Sequence, residues 1–259
     1  MSRLLFTHYL SSVIDPACQA LTTKLSLDLG VPVHYFDADW SDRMMCLENQ
    51  EPHVAWICGL LHVCKSAQSD WPYEAVAAPM MRGTRYQQMP VYFTDLIVRR
   101  ESLFESIEAL QGASWAINET TSLSGYHMMK CWMNEQQIAE DFFGDHIMTG
   151  THLNSVTAVL NGEADFATID STTMDMLFRE SPAKIRALRV IQSIGPFPAP
   201  PIVIHKDCKP ELKEQVRSIV TNLHLDPQYQ AQLEQTDIAG FSTVDEQFYN
   251  SIRVINVSE

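Results

Sequence analysis

The chain has 259 residues, 46% of them hydrophobic, so it can bury the core of one large domain or of two modest lobes. Its formal net charge of −14, with 18 lysines and arginines and no basic cluster, argues against a nucleic-acid partner. No apolar run reaches the ~18 residues that a membrane span needs, which argues against direct membrane insertion. An anionic ligand of such a chain must be held by local dipoles and a few side chains, because the overall field repels it.

The amino terminus and the cysteines bear on the compartment. The first ten residues contain one arginine and a short apolar run, without the long apolar stretch and cleavage site of a signal peptide. The six cysteines are scattered and form no C-x-x-C pair, which favours reduced thiols. We expect a cytoplasmic protein as the sequence stands, and a periplasmic or extracellular one if a signal peptide was trimmed.

The first third of the chain has the pattern of a β-α-β unit. A strand is predicted at 4–7, a helix at 17–29 that ends at Gly30, and a second strand at 31–36. This order favours a parallel sheet with covering helices. Further strands are predicted at 54–57, 75–79 and 92–98, a helix starting in 60–64, and a turn over 82–88.

The pattern restarts after Arg100. The segments predicted from here are helices at 103–110, 126–133 and 154–160, the last ending at Gly162, and strands at 114–117, 166–169, 189–194 and 202–204. The proline-rich segment 195–201 predicts a stiff extended connector. The last fifty or so residues have the pattern of helices, for example at 210–223 and 227–233.

The restart predicts an α/β fold with two lobes. One lobe comprises residues 1–95 plus 201–259, and the other comprises 98–195. Two crossover strands near 92–99 and 189–202 join them, and a ligand is expected in the cleft between the lobes.

Polar residues cluster where strands are predicted to give way to helices. The loop at 120–126 holds more hydroxyl groups than one helix cap needs, His152 follows Gly150 and Thr151 just before a helix, and Asp170 closes an apolar strand. Unpaired backbone N–H groups and the helix dipole make such places suited to an oxyanion. Ordinary capping is the alternative explanation, for Ser122 or Ser124 as for Asp170.

No cofactor is expected. The residues that could be taken for a metal site, His53, Cys58, His62 and Cys64, match no zinc spacing. The chain also lacks a Walker A loop, a dinucleotide fingerprint and a nucleophile elbow. We therefore predict neither a metal nor an organic cofactor.

The order of several motifs resembles that of the phosphate/phosphite/phosphonate substrate-binding proteins of ABC transporters. The match extends over about residues 54–205 and continues weakly to the carboxyl terminus. The motifs are Tyr92–Arg100, Leu110-Gln111-Gly112, Ser122-Leu123-Ser124-Gly125-Tyr126, Gly150-Thr151-His152, 161–165, Ile169-Asp170-Ser171 and Leu188–Ile191.

The resemblance implies a type 2 periplasmic-binding-protein-like fold whose two lobes close on the ligand by a hinge motion. It also implies binding roles for particular residues. The Ser122, Ser124 and Gly125 loop, which ends at Tyr126, would hold the phosphonyl oxygens. His152 would contact the anion, and Asp170 would be the cleft aspartate. Two aromatic residues would also contribute. Tyr92 would be the aromatic residue of the crossover strand, and Tyr9, in the loop after the first strand, would form an aromatic wall. Leu123 stands where the family often has threonine, which removes one hydroxyl contact.

We therefore expect a non-catalytic protein that binds a small phosphate-like oxyanion or its organic ester in a closing cleft. Its partner would be an ABC transporter permease for uptake, or a regulatory protein for sensing. The alternative is an enzyme on the same scaffold, acting on a small phosphorylated or anionic metabolite through His152, Asp170 or Cys58. A third possibility is a remnant domain whose pocket Leu123 has degraded.

Overall fold

The computed structural model describes residues 3–68 and 70–253, so the ends of the predicted first lobe, 1–2 and 254–259, lie outside it. Two compact units are present. Of the described residues, one unit contains those up to Val91 together with 198–253, and the other contains Tyr92–Phe197. The boundaries fall within two strands that carry the chain from one unit to the other.

Both units alternate strands and helices. The strands in the described residues are β1 (Leu4–Tyr9), β2 (Val33–Tyr35), β3 (Val54–Ile57), β4 (Tyr73–Met81), β5 (Val91–Arg99), β6 (Trp115–Ile117), β7 (His146–Met148), β8 (Phe166–Asp170), β9 (Leu188–Pro198), β10 (Ile202–His205) and β11 (Ile238–Thr243). The α-helices are α1 (Asp15–Leu29), α2 (Trp40–Glu48), α3 (Gly59–Ser66), α4 (Met128–Glu135), α5 (His152–Asn161), α6 (Ser171–Glu180), α7 (Pro182–Arg186), α8 (Pro210–Asn222), α9 (Gln230–Gln235) and α10 (Asn250–Arg253). A π-helix over Leu123–His127 leads directly into α4.

The sheet of the first unit has the order β11-β4-β10-β3-β1-β2. Its strands β1, β2 and β3 are parallel, whereas β10 and β11 run antiparallel to their neighbours. The predicted parallel sheet is therefore only part of a mixed one. The β-α-β start itself is confirmed, and Gly30 ends α1 in the left-handed conformation that favours glycine (φ 64°).

The second unit has a five-stranded sheet of order β7-β6-β8-β5-β9 with helices on both faces. Alternate residues of its strands face opposite sides, as the period of two requires. Ala116 and Ile97 belong to a buried cluster with α5 and α6. Trp115 and Leu96 belong to a second cluster with α4. The sheet thus holds α4 on one face and α5 and α6 on the other.

Three sequence-based assignments are wrong. Residues 103–110 form no helix beyond a short 3-10 turn at Glu108–Leu110. β9 continues through the start of the proline-rich segment to Pro198, which an edge strand permits because its outer N–H groups need no partner. The carboxyl-terminal region is not all helical, because β11 adds a strand next to β4.

Candidate functional site

The candidate site lies at one edge of the sheet in the second unit. β6 is parallel to both β7 and β8, so the carboxyl ends of these three strands meet at the same edge. The helices that follow them, the π-helix with α4, then α5 and α6, begin at that edge. Loops at the carboxyl ends of parallel strands are the usual ligand-binding positions of open α/β sheets, and helix N-termini there present free N–H groups.

The turn after β6 is a capped helix start. Ser122 is the N-cap, and its Oγ accepts a hydrogen bond from the Gly125 amide at 3.0 Å. Residue 125 must be glycine, since a Cβ there would lie 1.7 Å from Asn118 Oδ1. The amides of Leu123 and Ser124 lie in the first turn, where no earlier helical carbonyl is available to them. Capping, the alternative explanation for Ser122 or Ser124, is therefore present at Ser122, and the first-turn N–H groups remain on the same turn.

Buried hydroxyl groups of the sheet fix this turn in position. Thr94 Oγ1 on β5 donates to the Ser124 carbonyl at 3.0 Å, and Thr168 Oγ1 on β8 donates to the Gly125 carbonyl at 2.6 Å. Thr168 in turn accepts from the Trp115 indole N–H at 3.0 Å. The turn is therefore held in a defined geometry without a ligand, as preorganised binding requires.

His152 is the first residue of α5, which Thr151 caps through the Asn154 amide. Its Nε2 lies 3.3 Å from Ser124 Oγ, so the structure brings these two predicted site residues into contact. Thr149 and Gly150 complete the loop: the Gly150 amide donates to the Asn118 carbonyl at 2.9 Å. The two helix starts thus meet through a side-chain contact and a backbone hydrogen bond.

The imidazole of His152 is neutral at pH 7. Burial lowers its pKa, and this outweighs the carboxylates of Asp170 and Glu119, which raise it. The Thr168 backbone also favours the protonated ring, but less strongly than burial opposes it, and Nδ1 is buried without a partner in the described part of the chain. The ring therefore serves as a hydrogen-bonding group and not as a cation.

Asp170 is the last residue of β8 and caps α6. Its Oδ1 accepts from the amide and the hydroxyl of Thr172, both at 2.7 Å. The half-buried carboxylate is nonetheless part of the same edge, because its charge acts on His152 and its backbone pairs with Thr94. Asp170 thus combines the structural role with a negative charge that acts on His152.

The side chains of the three tyrosines predicted as site residues are buried or packed against other side chains. The Tyr126 ring stacks on Trp115, with centroids 5.5 Å apart, so its side chain is engaged in core packing. Tyr92 is buried on β5, two residues before Thr94. Tyr9 was placed wrongly in a loop: it ends β1 in the first unit, lies in that unit's core, and donates to the Arg43 carbonyl at 2.6 Å.

Asn118 is a site residue that the sequence reasoning missed. It follows β6 directly and is 9% exposed, and its side chain lies against Gly125. The sequence feature that could have identified Asn118 is the one that identified Asp170, a polar residue at the end of an apolar strand. Within residues 3–68 and 70–253 no cluster of three or more metal-ligating side chains occurs, and no helix is long and apolar enough to cross a membrane.

The two α/β units form a fold of the type 2 periplasmic-binding-protein-like class, as comparison with solved structures shows. Among the solved structures that share this fold are two phosphonate-binding proteins. One is the binding protein component of a phosphonate ABC transporter from Pseudomonas aeruginosa, with 19% identity, a TM-score of 0.77, and coverage of 97% of this chain and 84% of that one. The other is PhnD1 from Prochlorococcus marinus in complex with methylphosphonate, with 15% identity, a TM-score of 0.81, and coverage of 98% and 97%.

The family follows from the sequence comparison. The profile of the family described as "ABC transporter, phosphonate, periplasmic substrate-binding protein" matches residues 5–249, and the chain belongs to that family. It is 24% identical over 236 residues to the phosphonates-binding periplasmic protein of Escherichia coli K12, covering 88% of this chain and 67% of the relative. The resemblance noted from the motifs is thereby confirmed, as is the fold class.

Proposed function

We propose that this protein binds the oxyanion of a small phosphonate, phosphite, phosphate or phosphate ester at the Ser122–Gly125 turn and His152, and that it does so without catalysis. The contact between Ser124 Oγ and His152 Nε2, at 3.3 Å, carries the proposal. It joins two helix starts that are 28 residues apart in sequence. Both polar groups lie at the edge of the sheet where the helices begin, and there the positive ends of the helix dipoles favour an anion.

The chemistry of the site suits an anion. It gathers first-turn amides, the hydroxyls of Ser122 and Ser124, and the neutral imidazole of His152, all of which can donate to phosphonyl oxygens. Binding would exchange the Ser124–His152 contact for contacts to the ligand. The carboxylate of Asp170 would accept from a protonated ligand oxygen or a ligand amine.

An enzymatic role has one observation in its favour. A hydroxyl beside a histidine is the arrangement of an activated nucleophile and its base. Such a base must be oriented by a third group. Among the described residues Asp170 makes no hydrogen bond to His152, and its Oδ1 instead caps α6. This supports the non-catalytic function.

For the biological setting, we propose uptake by an ABC transporter, in which the protein works in the periplasm and delivers its ligand to a permease. Ligand sensing with a regulatory partner is the second setting. Closure of two lobes on the ligand stays a prediction.

A ligand panel tests the proposal. Methylphosphonate, aminoethylphosphonate, phosphite, phosphate and sulfate are screened by thermal shift, since a ligand at 100 times its Kd stabilises by about 2.7 kcal/mol. Isothermal titration with the best ligand is then repeated on Ser124→Ala and His152→Ala. Each should bind about 10- to 100-fold more weakly, the loss expected for one hydrogen bond to a charged group. Thr157→Ala, an exposed hydroxyl deletion on α5, is the matched control and should bind as the wild type does.

Three outcomes would contradict the proposal. Absence of stabilisation by every anion would remove the binding function. Unchanged affinity in both site variants would place the ligand elsewhere. Conversion of the ligand by the wild type, seen by NMR after long incubation and absent in His152→Ala, would establish the enzyme instead.

A further inference from the structure

Asn118 stands between the two loops of the candidate site. Its backbone carbonyl accepts from the Gly150 amide at 2.9 Å, which ties it to the loop before His152. Its side chain lies against the other loop, at Gly125. Only 9% of the residue is exposed. A polar side chain in this position needs a physical explanation, because Ser122 already provides the helix cap.

The side-chain amide of Asn118 has no hydrogen-bond partner among the described residues. Its Oδ1 is buried and accepts nothing, and no described group accepts from Nδ2. Leaving a buried acceptor such as this Oδ1 unpaired costs about 1–3 kcal/mol, so native proteins retain it where water or a ligand completes it. A 180° rotation of the amide exchanges oxygen and nitrogen without changing its shape, so either end can face a ligand.

We propose that the Asn118 amide donates a hydrogen bond to an oxygen of the bound anion, and that its neutrality determines which charge state of the anion the site accepts. The inference rests on the proposed function of the same site. It adds a binding residue that lies outside the Ser122–Tyr126 motif and that links this motif to the His152 loop.

The charges around Asn118 explain why neutrality matters. Asp170 from β8 and Glu119 from the loop after β6 act on His152 with negative charge. His152 on α5 and His127 on the π-helix both have pKa values lowered by burial, so neither supplies a compensating cation at neutral pH. A carboxylate at position 118 would be a third negative charge and would repel a dianion, whereas a monoanion could donate its proton to that carboxylate.

The test uses Asn118→Ala, Asn118→Asp and the control Asn134→Asp, which makes the same charge change at an exposed position of α4. Methylphosphonate binding is measured by isothermal titration at pH 8.5 and at pH 5.5, on either side of the second ionisation of a phosphate-type anion, about pH 6. Ser124→Ala is measured in parallel, and thermal unfolding verifies the fold of each variant.

At pH 8.5 we expect Asn118→Ala to bind about 10- to 100-fold more weakly than the wild type. Asn118→Asp should bind at least another tenfold more weakly, and this difference should shrink at pH 5.5. Asn134→Asp should match the wild type.

Equal losses in both Asn118 variants at both pH values would show that the residue is only a spacer and would overturn the inference. So would wild-type affinity in both variants while Ser124→Ala is weakened. A wild type that binds no anion would instead contradict the proposed function. If Asn118→Ala fails to fold, Asn118→Asp, which has the same shape, and Asn118→Ser carry the comparison.

Discussion

Replacing Gly125 by alanine tests the steric basis of the site. The added Cβ would lie 1.7 Å from Asn118 Oδ1 and 2.8 Å from Asn118 Cγ, whereas real Cβ atoms essentially never come within 3.0 Å of a neighbour. Asn118 is buried, and the carbonyls of Ser124 and Gly125 are tied to Thr94 and Thr168, so neither side can move freely. We expect Gly125→Ala to lower the free energy of unfolding by about 1–3 kcal/mol, the usual range for overpacking.

The same clash should displace the turn and reduce anion affinity at least tenfold. Urea denaturation measures the stability loss, and isothermal titration measures the affinity. Gly59→Ala is the control. Its added Cβ would come no closer than 3.3 Å to the Ile252 Cδ1 methyl, and the Pro198 carbonyl and Tyr249 Cε1 would lie at ordinary contact distances of 3.8 and 3.9 Å, so it should cost less. The decisive variant is Gly125→Ala combined with Asn118→Ala. Removing the Asn118 amide removes the two shortest contacts and leaves only the Ser122 Oγ at 3.0 Å among the three nearest atoms, so the cost of Gly125→Ala should fall by about 1 kcal/mol or more in that background. Equal stability of the two glycine variants, or additive effects of the pair, would refute the reasoning.

Three further predictions concern charge. Burial raises the pKa of Glu246, but hydrogen bonds from His62, Arg253 and a backbone amide outweigh burial and lower this pKa to about 2. The contribution of the Glu246 carboxylate to folding stability is therefore complete above about pH 4.5 and is lost as the pH falls toward 2. Glu246→Gln should lower the urea midpoint at pH 7, and the gap to wild type should narrow at pH 3.5; a constant gap would contradict this. Asp170→Asn keeps the α6 cap but removes the charge. At pH 8.5 methylphosphonate has no proton left for Asp170 to accept, so titration at that pH should show tighter binding to the variant, with an unfolding free energy within about 0.5 kcal/mol of wild type; weaker binding at pH 8.5 would refute it. By NMR the imidazole of His152 should titrate below pH 6.5. In Asp170→Asn it should titrate at a still lower pH, since the Asp170 carboxylate raises the pKa of His152. A midpoint above pH 6.5 in the wild type would show that burial does not dominate the pKa.

Local patterns in the sequence were enough where the physics is local. Gly162 was predicted to end α5, and it does so with φ 76°, a conformation that glycine adopts without strain. Helix capping was one of the two explanations for the serine-rich turn, and Ser122 does cap the helix, since the capped amide is only three residues away. Motif order likewise identified the family, because the residues of each motif are contiguous.

Local patterns failed where neighbours in space decide the outcome. Tyr9 follows polar and apolar residues that fit either a strand end or a loop, and only its packing in the first unit's core places it. β9 retains strand structure up to Pro198 because it lies at the edge of its sheet, a fact about strand order that no local window contains. The short segment 103–110 has helical spacing, yet isolated helices of that length are marginal without packing to support them.

The sequence by itself determined the α/β class, the helix caps and the positions of the polar loops before the helices, because each depends on residues a few positions apart. The tertiary structure alone decided that Ser124 meets His152, that burial keeps this histidine neutral, and that Asn118 lies between the two loops. These features arise because parallel strands bring their carboxyl ends to one edge, and because a pKa depends on all surrounding groups. The positions of residues along the chain reveal neither which strand ends are neighbours nor which groups surround a histidine.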